Sequence, residues 1–394
     1  MIKEITKTVK YIGADDVELD LFEGQYVVPE GMGYNSYVIV DEKVAVMDTV
    51  DAAAAGQWKE NLLEVLGGRE PDYIVAHHVE PDHTGALVWA LDRFPGAQLV
   101  ASANAVKFLT QFAEGVDFAS RAIVVKENDT LHVGSHTLRF MAAPLVHWPE
   151  VMVSFDESEG ILFSADAFGK FGALSKCGYF GEEDDDWACE ARRYYFNICG
   201  KYGTPVTNLL NKVEMLPVKV ICPLHGPILR KDLNEYIGLY RTWSAYGVET
   251  EGVFVAYASM HGGTAEAALA LAEILKEKGC PKVATSDLCR DDMAEAVEDA
   301  FRYGRIVVAA PTYDGGLFTP AHTFLHTLQA KGYQQRRAGL IENGTWAPAS
   351  GRIMKAMFSE MKDITVVEPV VTLRSTIHAA DRDALAALAT AILE

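Results

Sequence analysis

In the run His77-His78-Val79-Glu80-Pro81-Asp82-His83-Thr84-Gly85, four side chains able to bind a metal, His78, Glu80, Asp82 and His83, fall within six residues. The apolar run Tyr73-Ile74-Val75-Ala76 precedes them. A strand ending there would release the ligands into a loop, where a rigid scaffold presents reactive groups. If the segment stays extended, alternation aims His78, Glu80 and Asp82 the same way, and they converge on one spot. His147, Asp166 and His225 each follow an apolar run of their own. Alone, each reads as a core histidine or a turn aspartate. Together with the first cluster they suggest several strand ends gathered around one site, with His77 a strand-end neighbour rather than a ligand. Tyr194 and Tyr195 read as packing residues, one of which could donate a proton nearby.

A second set of residues suits a different guest. Ser259-Met260-His261-Gly262-Gly263-Thr264 joins an apolar run to a helical one, with hydroxyls at both ends and glycines inside. Backbone N–H groups in such a turn, with the helix N-terminus, make an anion site that needs no Lys or Arg, and a phosphate is the natural occupant. The spacing is neither G-x-G-x-x-G nor G-x-x-x-x-G-K-[ST]. Two later loops, Pro311-Thr312-Tyr313-Asp314-Gly315-Gly316 and Asn343-Gly344-Thr345-Trp346-Ala347, leave strands at the edge where open α/β sheets bind ligands. Tyr313 and Trp346 could flank a flat ring.

The elements that must position these groups fall into two halves. The first half begins with β-rich runs, among them a hairpin of Tyr34 to Val40 and Val44 to Asp48, and continues with a helix over 52–66 that stops at Gly67-Gly68. A second set of strands follows at 122–125, 137–141, 151–155 and 161–164, and the whole predicts an α/β sandwich of two sheets with helices outside. The acidic run 181–186 reads as a solvated loop and helix N-terminus, without EF-hand spacing. A boundary falls near Tyr246-Gly247-Val248-Glu249-Thr250, giving domains 1–248 and 249–394. After it five strands alternate with helices, the last strand over 366–373, which predicts a parallel, doubly wound sheet.

Composition sets outer limits. The chain has 394 residues, a length that suits two or three domains. Its 35 basic and 55 acidic residues give a formal charge of −20, which argues against nucleic acid or an anionic membrane as partner. The first residues lack the apolar core of a signal peptide, and no apolar run reaches 18 residues, so a cytoplasmic protein is expected. The six cysteines form no C-x-x-C pair and read as reduced structural thiols.

The later loops resemble those of flavodoxin, in which the first loop takes the FMN phosphate and the next two hold the flavin ring. His78-x-Glu80-x-Asp82-His83 with His147, Asp166 and His225 resembles the two-metal site of the metallo-β-lactamase fold. Most hydrolases of that fold carry H-x-H-x-D-H, and this chain has Glu80 in place of the second His. A carboxylate there hardens the site and favours iron or manganese over zinc. A lactamase-like αββα sandwich followed by a flavodoxin-like domain resembles the flavodiiron proteins over nearly the whole chain, including Tyr34-Asn35-Ser36-Tyr37, His147-Trp148-Pro149 and Asn343 to Pro348. His261 and Asp314-Gly315-Gly316 depart from the Tyr- and Asn-rich loops of that family, which bears on flavin potential.

The resemblance implies that His78, Glu80 and His147 hold one iron, that Asp82, His83 and His225 hold the other, and that Asp166 bridges them. His83 is the ligand whose counterpart swings away in some members. It implies reduction of dioxygen to water or nitric oxide to nitrous oxide, with FMN relaying electrons from rubredoxin or a reduced deazaflavin. It implies a head-to-tail homodimer, or a dimer of dimers, that sets one subunit's FMN beside the other's irons. With the chain ending at Glu394, no fused rubredoxin or reductase module is expected. A two-zinc hydrolase with an appended flavodoxin domain and a non-catalytic FMN carrier are the competing readings.

Overall fold

The strand Tyr73–Ala76 is buried along its whole length and lies between two parallel neighbours, Val44–Met47 and Gln98–Ala101. A strand covered on both faces reads as a continuous apolar run, which is why the sequence before His77 carries no alternation. The computed structural model describes residues 2–394, and this strand is an interior one, fifth in order, of a seven-stranded sheet that also takes in Lys3–Glu4, Val9–Tyr11, Tyr37–Val40 and Ala122–Val124. A five-stranded sheet faces it, built from Thr130–Val133, His136–Ala142, Met152–Asp156, Ile161–Phe163 and Val220–Cys222.

Alternate residues of the two sheets meet in one core: Tyr37, Ile39, Ala45, Met47 and Val75 from the first, and Leu138, Phe140, Met152 and Phe163 from the second. Each of the Val, Leu, Ile, Phe and Met side chains among them, fully removed from water, contributes roughly 1.5–3 kcal/mol. The helix Ala55–Leu66 buries Trp58, Leu62 and Leu66 and ends on Gly67 in the left-handed region, φ 56°.

These elements form one compact unit, the chain up to Tyr195 with Thr204–Arg241, and a second comprises Phe196–Gly203 and Thr242–Glu394. In the second unit the strands Thr250–Tyr257, Val283–Asp287, Tyr303–Tyr313, Arg336–Asn343 and Ile364–Val366 run parallel in the spatial order 2-1-3-4-5. That is the doubly wound order in which ligands bind beyond the carboxyl ends of the strands. Among the described residues no helix is long and apolar enough to cross a membrane.

Two local expectations are corrected. Alternation in the ligand loop stops at Glu80, because Pro81 opens a helical turn, Pro81–Thr84, as its fixed φ favours at a first helical position. Asp82 therefore turns away from His78 and Glu80. The run 366–373 is two short strands, Ile364–Val366 and Val371–Leu373, since Pro369 cannot donate to a ladder. The acidic run is a mostly exposed loop leading into the helix Trp187–Ile198, as expected, and its first half is also tied down: Glu182 pairs with Arg230 and Lys231, Glu183 accepts from the Tyr179 and Phe180 amides, and Asp184 takes Lys170.

Candidate functional site

Four loops of the first unit deliver the seven acidic and imidazole side chains singled out above. The first is locked by Asp48 and Thr49: Asp48 Oδ1 accepts from the His77 amide at 2.7 Å, Oδ2 lies 2.6 Å from His77 Nδ1, and Thr49 Oγ1 donates to the His83 carbonyl at 2.7 Å. His77 Nε2 lies 2.8 Å from Ser154 Oγ, so both its nitrogens are engaged away from the cluster, as a strand-end neighbour requires. Gly85 is obligatory in this loop, since a Cβ there would meet Ala52 N at 2.3 Å.

The loop carrying His225 is stapled by Tyr34-Asn35-Ser36-Tyr37. Asn35 Nδ2 donates to the carbonyls of Pro223 and Gly226, Tyr37 Oη donates to Pro223 O at 2.6 Å, and Gly33 O accepts from His225 Nδ1 at 2.9 Å. That last bond places the proton on Nδ1 and leaves Nε2 to face inward.

Two ligand groups result. His78, Glu80, His147 and Asp166 form one, and Asp82, His83 and His225 the other; within each group the ligand atoms lie within 4.8 Å of one another. Asp166 serves both groups, with Oδ2 3.2 Å from His147 Nε2 and 3.8 Å from His78 Nε2, and Oδ1 3.1 Å from His83 Nε2. Glu80 Oε2 stands 3.1 Å from His78 Nε2 and 3.2 Å from His147 Nε2, and Asp82 Oδ2 stands 3.2 Å from His225 Nε2.

These short approaches are mostly not hydrogen bonds. His83 Nε2, His225 Nε2, Asp82 Oδ1 and Asp166 Oδ1 are buried and make no hydrogen bond. Buried polar atoms that converge without bonding one another fit a shared cation, because each otherwise bears its full desolvation cost. A third cluster, His136 with Asp156 and Glu159, shows the contrast. There Nδ1 is taken by Asp156 at 2.8 Å and Nε2 by Thr8 Oγ1 at 2.9 Å, so it is a closed structural network.

The electrostatics agree. Burial pushes the His78 and His83 imidazoles down, but Asp166 and the other carboxylates outweigh it and raise both. His147 is likewise raised to about 9, burial being overcome by Asp166 and Glu80. Burial pushes Glu80 up, yet His147 and His78 hold it down at about 2, and His83 and His78 hold Asp166 well below the usual carboxylate range. The carboxylates demand positive charge at this spot, which protons supply on the imidazoles or cations supply in their place.

The sequence reading missed Glu150. Its Oε1 sits 2.7 Å from His78 Nδ1 and accepts from the Val79 amide at 3.1 Å, which fixes the ring so that Nε2 faces Asp166. Its only mark in the sequence is that it directly follows His147-Trp148-Pro149, which by itself points to no role. Tyr194 places its ring 5.6 Å from that of His225, whereas Tyr195 packs on Tyr240.

In the second unit a cavity of about 550 Å³ opens beyond the strand ends. Ser259, Met260, His261, Gly263 and Thr264 line it with Pro311 to Gly315 and Asn343 to Ala347. Gly262 and Gly316, also expected there, do not line it. Gly262 is exposed at φ 91°, capping the helix Gly263–Glu277, and its amide donates to Ser259 Oγ at 3.1 Å. Gly316 pairs back on Tyr313 in a short strand. A Cβ at Gly263 would meet the Ser375 carbonyl at 2.0 Å. Ser375, which the sequence reading missed, lines the cavity and is clamped by Asn343, whose side chain bonds both its N–H and its C=O. No Lys or Arg lines the cavity, and Trp346 and Tyr313 at its rim are 80% and 46% exposed. Helix amides, hydroxyls and flat exposed rings fit a phosphate-bearing aromatic cofactor such as FMN.

Comparison with known proteins finds relatives that match most of the chain. Residues 32–226 match the family described as ODP family beta lactamase. An uncharacterized protein of Methanocaldococcus jannaschii is 30% identical over 82% of this chain and 81% of its own length. The anaerobic nitric oxide reductase flavorubredoxin of Salmonella arizonae is 27% identical over 91% of this chain and 75% of its own. The rubredoxin oxygen:oxidoreductase of Desulfovibrio gigas superposes over 100% of this chain and 98% of that one, with TM-score 0.92 and 25% identity. The flavodiiron protein of Giardia intestinalis shares the fold at TM-score 0.91 and 24% identity, over 100% and 97% of the two chains.

Proposed function

Because the chain belongs to the flavodiiron proteins, oxidoreductases that bind FMN and a non-haem diiron centre, we propose that it reduces dioxygen to water, nitric oxide to nitrous oxide, or both. The observation that carries this reading is Asp166, whose two oxygens face different imidazole sets. In this reading His78, Glu80 and His147 hold one iron, Asp82, His83 and His225 the other, and Asp166 both. When bound, the iron pair supplies electrons and Lewis acidity to a diatomic oxidant, and FMN supplies the electrons that restore it.

The chain's own residues set the conditions. Glu150 and the Gly33 carbonyl hold the outer nitrogens of His78 and His225, so their inner nitrogens are fixed for coordination. Trp148 lies edge-on to His78 at 5.3 Å, with Phe112 stacked on it, and this aromatic cover limits water at the centre. Tyr194 Oη is the proton donor we assign in preference to Tyr195, on the strength of its ring contact with His225.

We place FMN with its phosphate on Ser259 to Thr264 and its ring between Pro311–Gly316 and Asn343–Ala347, and we take residues 1–248 and 249–394 as the diiron and FMN domains. The exposed Trp346, Tyr313 and Met260 favour a covering partner. The proposed cover is a second copy in a head-to-tail homodimer or dimer of dimers, with rubredoxin or a reduced deazaflavin as donor. The six free cysteines support a reducing, cytoplasmic setting.

Anaerobic purification followed by metal and flavin analysis, then turnover of each gas with a reduced donor, tests the reading. Two irons and one FMN per chain with gas consumption are expected. Two zinc ions and no iron would replace the reading with a hydrolase. Unchanged gas consumption in Glu80→Ala or His147→Ala would replace it with a simple electron carrier.

A further inference from the structure

At the amino-terminal edge of the second unit's sheet, Arg305 and Arg337 stand side by side as register partners on the adjacent parallel strands Tyr303–Tyr313 and Arg336–Asn343. Like charges so placed repel one another across a ladder. Their partners leave that repulsion largely unscreened: Arg305 Nη1 donates to Glu251 Oε2 at 3.1 Å, a side chain 71% exposed, and Arg337 Nη2 donates to the Ala391 carbonyl at 2.8 Å. The Nε of each arginine is buried without a hydrogen-bond partner.

The neighbouring Arg336 adds a third guanidinium, whose N–H groups go to backbone carbonyls including those of Tyr246, Gly247, Phe301 and Tyr303. The three line a cavity of about 340 Å³ in which Glu251 and Asp363 are the only carboxylates. A cationic hollow in a chain of net charge −20 needs a reason.

We propose that this cavity binds a small anion bearing a phosphate group, held between Arg305 and Arg337. An oxyanion in the cavity accepts from the guanidinium N–H groups that line it and screens the repulsion between the two arginines. Arginine's planar fork suits tetrahedral and planar oxyanions alike, and the volume is that of a small-molecule site. The site is separate from the FMN loops. From Arg305 to Pro311 and from Arg337 to Asn343 the same strands run six residues, about 20 Å at the rise of an extended chain.

The test is calorimetric titration of the FMN-saturated full chain with inorganic phosphate at low ionic strength, repeated on Arg305→Gln and Arg337→Gln. Saturable binding at one site is expected, weakened at least about tenfold in each variant, as loss of a charge-assisted hydrogen bond implies. Arg305→Gln separates binding from folding. It relieves the repulsion, so its melting temperature in the absence of phosphate should equal or exceed that of the parent. Absence of saturable binding, equal binding by parent and variants, or binding of citrate but not phosphate would each overturn the proposal.

Discussion

In the first unit seven titratable side chains crowd around one centre, with His78, His83 and His225 fully buried and Glu80, the most open carboxylate, only 19% exposed. In the second unit the cavity is lined by backbone and hydroxyls, contains no Lys or Arg, and has an aromatic rim 80% exposed at Trp346. The first cradle concentrates charge that must be neutralised where it stands. The second offers backbone and hydroxyl dipoles, with Asp314 as its one carboxylate, to a guest that brings its own charge and an apolar ring. The difference predicts that the metal cradle should respond to single charge changes and to pH, and the flavin cradle to shape.

The largest effect is expected at Asp166, where the two groups share one carboxylate. Asp166→Ala leaves His83, His78 and His147 facing one another without their common counter-charge, so both irons should be lost and gas consumption should fall to background. Iron analysis beside a flavin spectrum checks it. Stoichiometric FMN with less than half the iron is the expected pattern, and retention of two irons would show that Asp166 is not shared.

The corresponding break in the flavin cradle is steric. Gly263→Ala drives a Cβ into the Ser375 carbonyl, 2.0 Å away, and that carbonyl is itself held by Asn343. The wall must shift, and FMN content should drop while iron stays. Gly262→Ala meets open space but keeps φ at 91°, so it costs only about 1–2 kcal/mol of backbone strain and should retain more FMN than Gly263→Ala. Flavin release measured by fluorescence ranks the pair; the opposite order would mean that Gly262, not the wall at Gly263, shapes the site.

How much of this was legible in advance follows from the same contrast. Ligands at strand ends announce themselves, since an apolar run ending in His, Asp or Glu is conspicuous, and the structure brings all seven together. The split into two groups was implied by the resemblance but not by alternation, because it depends on Pro81 turning an alternating loop into a helical one. Glu150 carried no spacing signal, since its role arises from the fold returning that loop to His78. Ser375 was invisible for a similar reason: it enters the cavity from a turn after Val371–Leu373, held by a contact with Asn343 across 32 residues. Local pattern reveals what each strand end offers, and long-range closure decides which offers meet.

The pH response distinguishes metal-free from metal-loaded protein. Without metal, His147 is raised from its ordinary 6.5 to about 9. A raised imidazole stabilises the fold fully below about pH 6.5, and that contribution disappears as pH rises through about 9. The shift corresponds to at most about 3 kcal/mol. Glu80, held at about 2, acts in the opposite sense: its contribution is present above about pH 4.5 and is lost as pH falls through about 2. Metal-free protein should therefore melt progressively lower between pH 6.5 and 9, whereas the iron-loaded form, in which a cation replaces the protons, should not. Parallel melting curves for the two forms would mean that the metal does not displace those protons.

The smallest effect sharpens the comparison most, because it tests whether the metal cradle is preorganised beyond its ligands. Glu150→Gln keeps the size of the side chain and an acceptor oxygen but removes the charge behind His78 Nδ1. His78 should still reach the iron with its ring less firmly oriented and less basic. Loss of such an outer partner typically weakens metal affinity about 10–100-fold. The readout is a chelator competition with iron or manganese, alongside FMN content, which should not change. If affinity is unaltered, His78 is held by packing against Trp148 alone, at 5.3 Å, and the charge of Glu150 is incidental. If affinity falls within that range, electrostatic support extends outward from the ligands to a further carboxylate, Glu150, whereas the flavin cradle is held from behind by the uncharged amide of Asn343.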